Sequence, residues 1–202
     1  MLGLPLQRFA EDVRRFAPVS DEALATVAAL IEPRDVAASR WLLEAGQRAQ
    51  WCFYVVEGLV REYYTDEQGE EHTRAFADTG RFTGSLLDLL SGEPSVTWVQ
   101  ALEPTRVLAF RYAEFDALCA RWPELNTLAR RAAEQLYLRK AQREYQLLAL
   151  SAAARYAHWC RQNPQLDARI SKRVLASFLG ITPEHLSRLR RGVASFSGRH
   201  SG

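Results

Sequence analysis

A chain of 202 residues, of which 48% are hydrophobic and 25% charged, has room for one large or two small domains with a buried core. No apolar run approaches the roughly 20 residues of a membrane span, and the N-terminus lacks the basic-then-apolar pattern of a signal peptide, so we expect a cytoplasmic protein without a membrane partner. Cys52, Cys119 and Cys160 are isolated from one another, which argues against disulfides and zinc sites; we predict no metal and no cofactor.

The formal net charge of +2 conceals two regions of opposite charge. Residues 151–202 contain nine Lys and Arg against two acids, a balance of +7, whereas residues 1–150 contain 17 against 22, a balance of −5. Neutralising the phosphates of a nucleic acid requires a basic region of this kind. The distribution therefore predicts a nucleic-acid-binding module in the C-terminal quarter of the chain.

Two helices are predicted before the first strand. Residues 4–16 show a weak helical pattern, and the segment from Ser20 to Ile31 shows a strong one. Ser20 is a suitable N-cap, and the second helix should end before Pro33.

Short β-rich runs follow between Arg34 and Phe110. Turn signals separate them at intervals of roughly 8 to 12 residues, which is typical of an antiparallel sandwich or barrel. One segment, from Phe82 to Leu90, interrupts the runs and is predicted to be a short helix. The predicted strands are 41–43, 51–56, 59–64, 72–76, 96–99 and 106–110.

A long helical region comes next. A helix is predicted from Tyr112 to Arg121, and beyond Pro123 the pattern continues to about Arg161. A break is predicted near residues 149–151, where a hinge between domains would lie. Two apolar stripes run along the helix, the first of Leu125, Ala129, Ala132 and Leu136, the second of Ala133, Tyr137, Ala141, Tyr145 and Leu148.

The two stripes suggest two packing partners. One face would pack on the β-rich domain and the other on a second copy of the chain, as in a two-stranded coiled coil. The alternative is a long helix buried wholly within its own subunit.

Two short helices are predicted between Ser171 and Arg191. Gly180 lies where the first must stop, because glycine adopts the left-handed conformation without a steric penalty. Thr182 is a good N-cap for the second helix, and Pro183 suits its first position. The buried stripe of the first helix is Val174, Leu175, Phe178 and Leu179, and Leu186 and Leu189 pin the second helix to it.

This spacing is typical of a helix-turn-helix. The alternative is an ordinary helical hairpin with a solvated, charged face. The outward-facing residues of the second helix are predicted to be Glu184, His185, Ser187, Arg188 and Arg191.

Together, the β-rich region, the long helix and the final helix pair resemble the CRP/FNR superfamily of bacterial transcription regulators over nearly the whole chain. Residues 53–61 are similar to the family's strand-turn-strand signature, 80–86 to the opening of its phosphate cassette, and 175–188 to its DNA-reading motif. The resemblance implies an α+β fold in three parts. These are an N-terminal antiparallel β-roll of the cyclic-nucleotide-binding type, jelly-roll-like (1–120), a long central dimerisation helix (121–150), and a winged-helix-like helix-turn-helix domain (151–202).

The resemblance also implies which residues meet DNA. Glu184 and Arg188 match the positions that read base edges in the major groove, while Pro183 stands where relatives often carry a third arginine. Neighbouring side chains would approach phosphates, although Lys172 and Arg173 could equally be solvated surface. The candidate DNA-binding residues are Lys172, Arg173, Thr182, Glu184, His185, Ser187, Arg188 and Arg191.

The effector site departs from the family. Members that bind cyclic nucleotides carry a glutamate for the ribose and an arginine for the cyclic phosphate, but this chain has Ser85 and Ser95 at those positions. A buried phosphate without its arginine is poorly compensated, so we predict no binding of cyclic AMP in the usual way. The candidate effector-pocket residues, which would otherwise simply fill a core, are Phe82, Gly84, Ser85, Leu86, Ser95 and Thr97.

The sequence gives little support for oxygen sensing through cysteines or for haem binding. Oxygen-sensing relatives use a cysteine cluster near the N-terminus, and no cysteine precedes Cys52. His72 is a weak candidate for a haem ligand, since a single histidine in a strand is more often structural.

These observations predict a homodimeric transcription regulator that reads a palindrome in double-stranded DNA. An unidentified small-molecule effector and RNA polymerase are further candidate partners, and no enzymatic activity is predicted. One alternative is a cupin-like β-barrel enzyme with a helical appendage, but a cupin metal needs two or three histidines and the β-rich region offers His72 alone. The other is a ligand- or partner-binding module whose basic tail acts only in solubility.

Overall fold

A computed structural model describes residues 3–197 of the chain. These residues form two compact units. The first comprises residues up to 64 together with 75–138, and the second comprises 65–74 together with the residues from 139 onwards.

The first unit begins with two helices, α1 (Gly3–Phe16) and α2 (Asp21–Ala28). The hydroxyl of Ser20 accepts a hydrogen bond from the Ala23 amide at 3.2 Å, which confirms the predicted cap of α2. Phe9 and Val13 of α1 are buried in one core with Tyr54. A buried hydrogen bond of 2.6 Å from the Tyr54 hydroxyl to Asp12 connects α1 to the strand that contains Tyr54.

Eight strands follow, and they form two four-stranded sheets in the orders β1-β8-β3-β6 and β2-β7-β4-β5. The interior between these strands is apolar and includes Phe53, Val60 and Val99. The strands are β1 (Glu32–Val36), β2 (Trp41–Leu43), β3 (Trp51–Glu57), β4 (Leu59–Thr65), β5 (Glu71–Asp78), β6 (Phe82–Thr83), β7 (Trp98–Ala101) and β8 (Thr105–Arg111). The predicted antiparallel β-roll is confirmed.

The helix predicted over residues 82–90 is wrong at its start. Phe82 and Thr83 form β6, which pairs with β3, and the helix α3 spans only Leu86–Ser91. Gly84 separates the two elements at φ +126°, and a Cβ there would lie 3.2 Å from the carbonyl oxygen of Trp51. The sharp, close-packed turn at this glycine prevents one helix from covering the whole segment.

Three helices connect the β-roll to the last helix pair. These are α4 (Tyr112–Arg121), α5 (Pro123–Ala149) and α6 (Ala152–Gln162). The predicted break is confirmed, since Ser151 caps α6 by accepting a bond of 3.2 Å from the Ala154 amide. The boundary between the two compact units lies within α5, between residues 138 and 139.

The two stripes of α5 differ in burial. Leu125, from the first stripe, is fully buried. In the second stripe Tyr137, Tyr145 and Leu148 are 70%, 60% and 81% exposed. The alternative of a helix buried wholly in its own subunit is therefore wrong for this stripe.

The C-terminal helix pair consists of α7 (Lys172–Leu179) and α8 (Pro183–Ser197). Residues 151–197 contain α6, α7 and α8 and no strand. The α+β fold is thus confirmed, but the strands that would make this helix-turn-helix a winged helix are missing from that range. The physical reason is that the segment after Arg191 continues α8 for six more residues instead of turning back as a hairpin.

Among the helices in the described part of the chain, none is both long enough and apolar enough to span a membrane.

Candidate nucleic-acid interface and effector pocket

Close packing holds α7 and α8 together. Leu175, Ala176, Leu179 and Leu186 are each at most 1% exposed. Between the helices Gly180 adopts φ +64° and ψ +42°, and its amide bonds back to the last turn of α7. The predicted left-handed stop is confirmed, and it lets α8 begin only three residues later.

The start of α8 is capped as predicted. The hydroxyl of Thr182 accepts a hydrogen bond of 3.2 Å from the His185 amide, and Pro183 is the first helical residue. The Ser187 hydroxyl donates a hydrogen bond of 2.9 Å to the Pro183 carbonyl of the same helix. Thr182 and Ser187 therefore shape the helix with the same side chains that were candidates for contacting DNA.

The outer face of α8 carries free charges. Glu184, Arg188 and Arg191 are exposed, and His185 is half-buried. Glu184 and Arg188 lie one turn apart on one face, and neither side chain forms a hydrogen bond or ion pair with any residue that the structure describes. Lys172 and Arg173 are also exposed, directly after the Ser171 cap of α7.

Arg190 differs from its neighbours. Its guanidinium reaches Asp167 at 3.1 Å. Burial alone would lower the pKa of Arg190, but the hydrogen bonds and charge interactions with Asp167 and Tyr156 together raise it. This arginine contributes to the positive charge of the region while its side chain is engaged by the protein itself.

The serines predicted for an effector pocket lie together in the β-roll, where Thr97 bonds to both of them and Ser95 also bonds to an aspartate. Ser85 and Thr97 share a hydrogen bond of 3.1 Å, and the Thr97 amide donates to Ser95 at 3.0 Å. Ser95 in turn donates to Asp88 at 2.5 Å. All four residues are buried, so these side chains form a connected polar network (the cassette network: Ser85, Asp88, Ser95, Thr97).

The other candidate pocket residues lie around this network. The ring of Phe82 packs against Tyr54 of β3, at 5.3 Å between centroids, and against Phe9 and Phe16 of α1. Gly84 forms the turn before α3, and Leu86 is half-buried at its start.

Sequence reasoning missed a buried carboxylate beside the cassette. Glu62 of β4 accepts a hydrogen bond of 2.8 Å from the Thr83 hydroxyl and one of 3.3 Å from the Gly84 amide. Glu62 lies two residues after Val60, which belongs to the interior of the β-roll, so both point to the same side of the strand. The alternation of β4 was the available signal, since it places Glu62 on the inner face.

His72 and the three cysteines are not arranged as a metal or redox site. His72 is exposed and bonds to Asp66 at 2.7 Å, and this bond lowers the pKa of the Asp66 carboxyl. Burial raises the pKa of Cys52 to about 12 and also raises that of Cys119 and Cys160, whereas reactive thiols have a lowered pKa. Across residues 3–197, no three His, Cys, Asp or Glu side chains are grouped so that they could hold a metal.

Comparison with known proteins finds a matching domain family and similar proteins. Residues 33–121 match the cyclic nucleotide-binding domain family. The chain is 25% identical over 159 residues to the fumarate and nitrate reduction regulatory protein of Vibrio cholerae, covering 73% of this chain and 63% of that protein. It is 29% identical over 84 residues to the cAMP-activated global transcriptional regulator CRP of Salmonella typhimurium, covering 42% of this chain and 40% of CRP. The match thus spans less than two thirds of either relative.

A solved structure with the same fold extends this likeness to most of the chain. FixK2 from Bradyrhizobium japonicum superposes with a TM-score of 0.73 over 83% of this chain and 86% of FixK2, at 19% identity.

Proposed function

We propose that this chain, which is similar to regulators of the CRP/FNR type, is a transcription regulator of that superfamily and binds a palindromic DNA operator as a homodimer. The observation that carries the proposal is the pair of exposed, unpaired charges, Glu184 and Arg188, on a capped helix. By name, CRP is a transcriptional regulator and the Vibrio cholerae relative is a regulatory protein, and we propose no enzymatic activity for this chain.

Glu184 and Arg188 suit the edges of a G·C pair. An arginine can donate two hydrogen bonds to O6 and N7 of guanine, and a carboxylate can accept one from N4 of cytosine. Lys172, Arg173 and Arg191 are exposed cations near this face, and we assign them to phosphates, which fix orientation without reading sequence.

The exposed stripe of α5 supports a homodimer. Tyr137, Tyr145 and Leu148 present large apolar surfaces at helical spacing, and such a stripe is the usual seam between two helices. A two-fold pairing along α5 would duplicate α8 and let both copies enter successive major grooves roughly 34 Å apart.

We propose that cyclic AMP is not the effector. Two observations support this. The positions that bind ribose and phosphate in cyclic-nucleotide-binding relatives hold Ser85 and Ser95, and both hydroxyls are already bonded within the cassette network. Glu62, in addition, places a carboxylate against the cassette turn, where it would repel an anionic phosphate.

The three-part division of the chain at residues 120 and 150 also remains a proposal, as do a cytoplasmic location and RNA polymerase as a partner. These follow from the proposed role, since a regulator of transcription must reach both the DNA and the polymerase.

The proposed function is tested by selecting duplexes from a random pool and titrating the selected sequence. We expect a palindromic consensus, and an affinity whose logarithm falls steeply with the logarithm of salt concentration. Arg188→Ala should cost about 1–3 kcal/mol and relax specificity at one base position of each half-site. The matched control is Arg121→Ala, an exposed arginine on α4, which should bind like the parent protein. Equal affinity for all sequences would contradict the proposal, as would unchanged specificity in Arg188→Ala.

A further inference from the structure

The C-terminal end of α7 is held by two arginines from other helices. The last carbonyls of a helix lack partners within the helix. At this end the Gly180 amide bonds to Ala176 and Ser177, and the Ile181 amide bonds to Ala176 at 3.1 Å. The carbonyls of Phe178 and Leu179 instead accept hydrogen bonds from Arg143 and Arg155.

Arg143 reaches this point from α5. Its Nη2 donates to the Phe178 carbonyl, and its guanidinium carbon lies 4.0 Å from the centre of the Phe178 ring. Burial lowers the pKa of Arg143 to about 10, with a further contribution from the positive charge of Arg155. The side chain therefore stays charged at neutral pH, although its surroundings disfavour the charge.

Arg155 reaches the same point from α6. Its Nε donates to the Leu179 carbonyl at 2.9 Å, and its Nη1 donates to the Leu150 carbonyl at 2.6 Å. Leu150 lies in the break between α5 and α6, so this single guanidinium ties the break to the end of α7.

The position of these two cations has a physical explanation. The carbonyl end of a helix carries a partial negative charge, which stabilises nearby cations, and charge-assisted hydrogen bonds are stronger than neutral ones. These gains oppose the repulsion between the two arginines and the cost of burying them, a cost that includes Nε and Nη1 of Arg143, which are buried without a hydrogen-bond partner among the described residues. The neighbouring packing is also close, because a Cβ on Gly180 would lie 3.3 Å from Leu147 of α5.

We propose that Arg143 and Arg155 form a clamp that fixes the recognition helix α8 relative to the last turns of α5, and so sets the operator spacing of the dimer. The buried leucines pack α7 and α8 into one body, and the clamp ties that body to α5 and to the α5–α6 break. The inference rests on the proposed function, since spacing matters only if α5 pairs two copies. Both arginines are positioning residues and do not themselves contact DNA.

The test compares Arg143→Met and Arg155→Met with the matched control Arg121→Met. Each protein is titrated with the selected palindrome, with palindromes whose half-sites are one and two base pairs closer or farther apart, and with a single half-site. For the Arg143 and Arg155 variants we expect a loss of about tenfold on the selected palindrome, a flatter dependence on spacing, and less than a twofold change on the half-site. Arg143→Lys keeps the charge and should recover part of the loss.

Two results would overturn the clamp. One is an unchanged spacing profile in both methionine variants. The other is an equal loss on palindrome and half-site, which would mean that the substitutions damage α8 itself.

A measurement without DNA separates the clamp from the proposed function. Hydrogen exchange of the amides of Gly180 and Ile181, which bond to the last turn of α7, should accelerate about tenfold in Arg143→Met, because these amides are protected only while the α7 end stays closed. Exchange in Arg121→Met should match the parent protein. If the parent protein binds no sequence selectively, the proposed function fails, but the exchange measurement still tests whether Arg143 holds the end of α7. Unchanged exchange in Arg143→Met would refute the clamp.

Discussion

The polar side chains of the cassette network and those on the outer face of α8 differ in where their hydrogen bonds go. Ser85, Ser95 and Thr97 are buried and bond to one another and to Asp88. Glu184 and Arg188 are exposed, and each is without a partner among residues 3–197. Any ligand of the cassette must therefore break bonds that the protein already makes, whereas a partner of Glu184 and Arg188 would break no bond within the described part of the protein.

This difference follows from the cost of burying polar groups. A buried hydroxyl or carboxylate without a partner destabilises the fold, so the interior of the β-roll satisfies its polar groups in the free protein. An exposed charge on α8 is hydrated in the free protein and can exchange water for a polar group of a partner. The outer face of α8 can thus accept a partner without rearrangement, while the interior of the β-roll is stable without a ligand.

The largest expected effect distinguishes a residue of α8 that stabilises the fold from a residue of α8 that is proposed to contact DNA. Leu186→Ala removes a side chain that is 0% exposed at the contact with α7, so we expect it to lower the free energy of unfolding by about 2–5 kcal/mol and to abolish specific DNA binding. Arg188→Ala, two residues away, should change stability by less than about 0.5 kcal/mol. Urea unfolding followed by circular dichroism measures both, and similar stabilities of the two variants would contradict the assignment of roles.

The local signals of the helix pair made it predictable from the sequence. Gly180, Thr182 and Pro183 act through contacts within a few residues, and the leucine spacing marks the buried side. The outward position of Glu184 and Arg188 follows from the same spacing.

Features that depend on distant partners were not predictable. The strand β6 has only two residues and exists through its pairing with Phe53 and Tyr54, and β1 contains Pro33, which weakens any strand signal. The contacts of Glu62 with Thr83 and of Arg143 with Phe178 join residues 21 and 35 positions apart. No local pattern encodes such contacts, so the clamp and the buried carboxylate emerge only from the folded chain.

An intermediate effect is expected inside the β-roll. Asp88→Ala leaves the buried Ser95 hydroxyl without its charged acceptor, so the free energy of unfolding should fall by about 1.5–3 kcal/mol. Asp88→Asn keeps an acceptor and should cost less. The control is Glu93→Ala, whose side chain is exposed, and the measurement is again urea unfolding. An Asp88→Ala protein as stable as the control would show that the cassette network is not satisfied in the way the structure describes.

The smallest expected effect is a null result with cyclic AMP. A ligand that binds only the folded protein stabilises it by about 2.7 kcal/mol at a concentration 100 times its dissociation constant, so a genuine effector must raise the melting temperature. Because Ser85 and Ser95 replace the ribose and phosphate ligands and Glu62 faces the same turn, we expect no shift at millimolar cyclic AMP. The selected palindrome, added to the same protein, should raise the melting temperature and serves as the positive control. A clear shift with cyclic AMP would mean that the polar groups of the β-roll rearrange to accept an anion. The contrast between the internally hydrogen-bonded cassette network and the exposed charges of α8 would then be wrong.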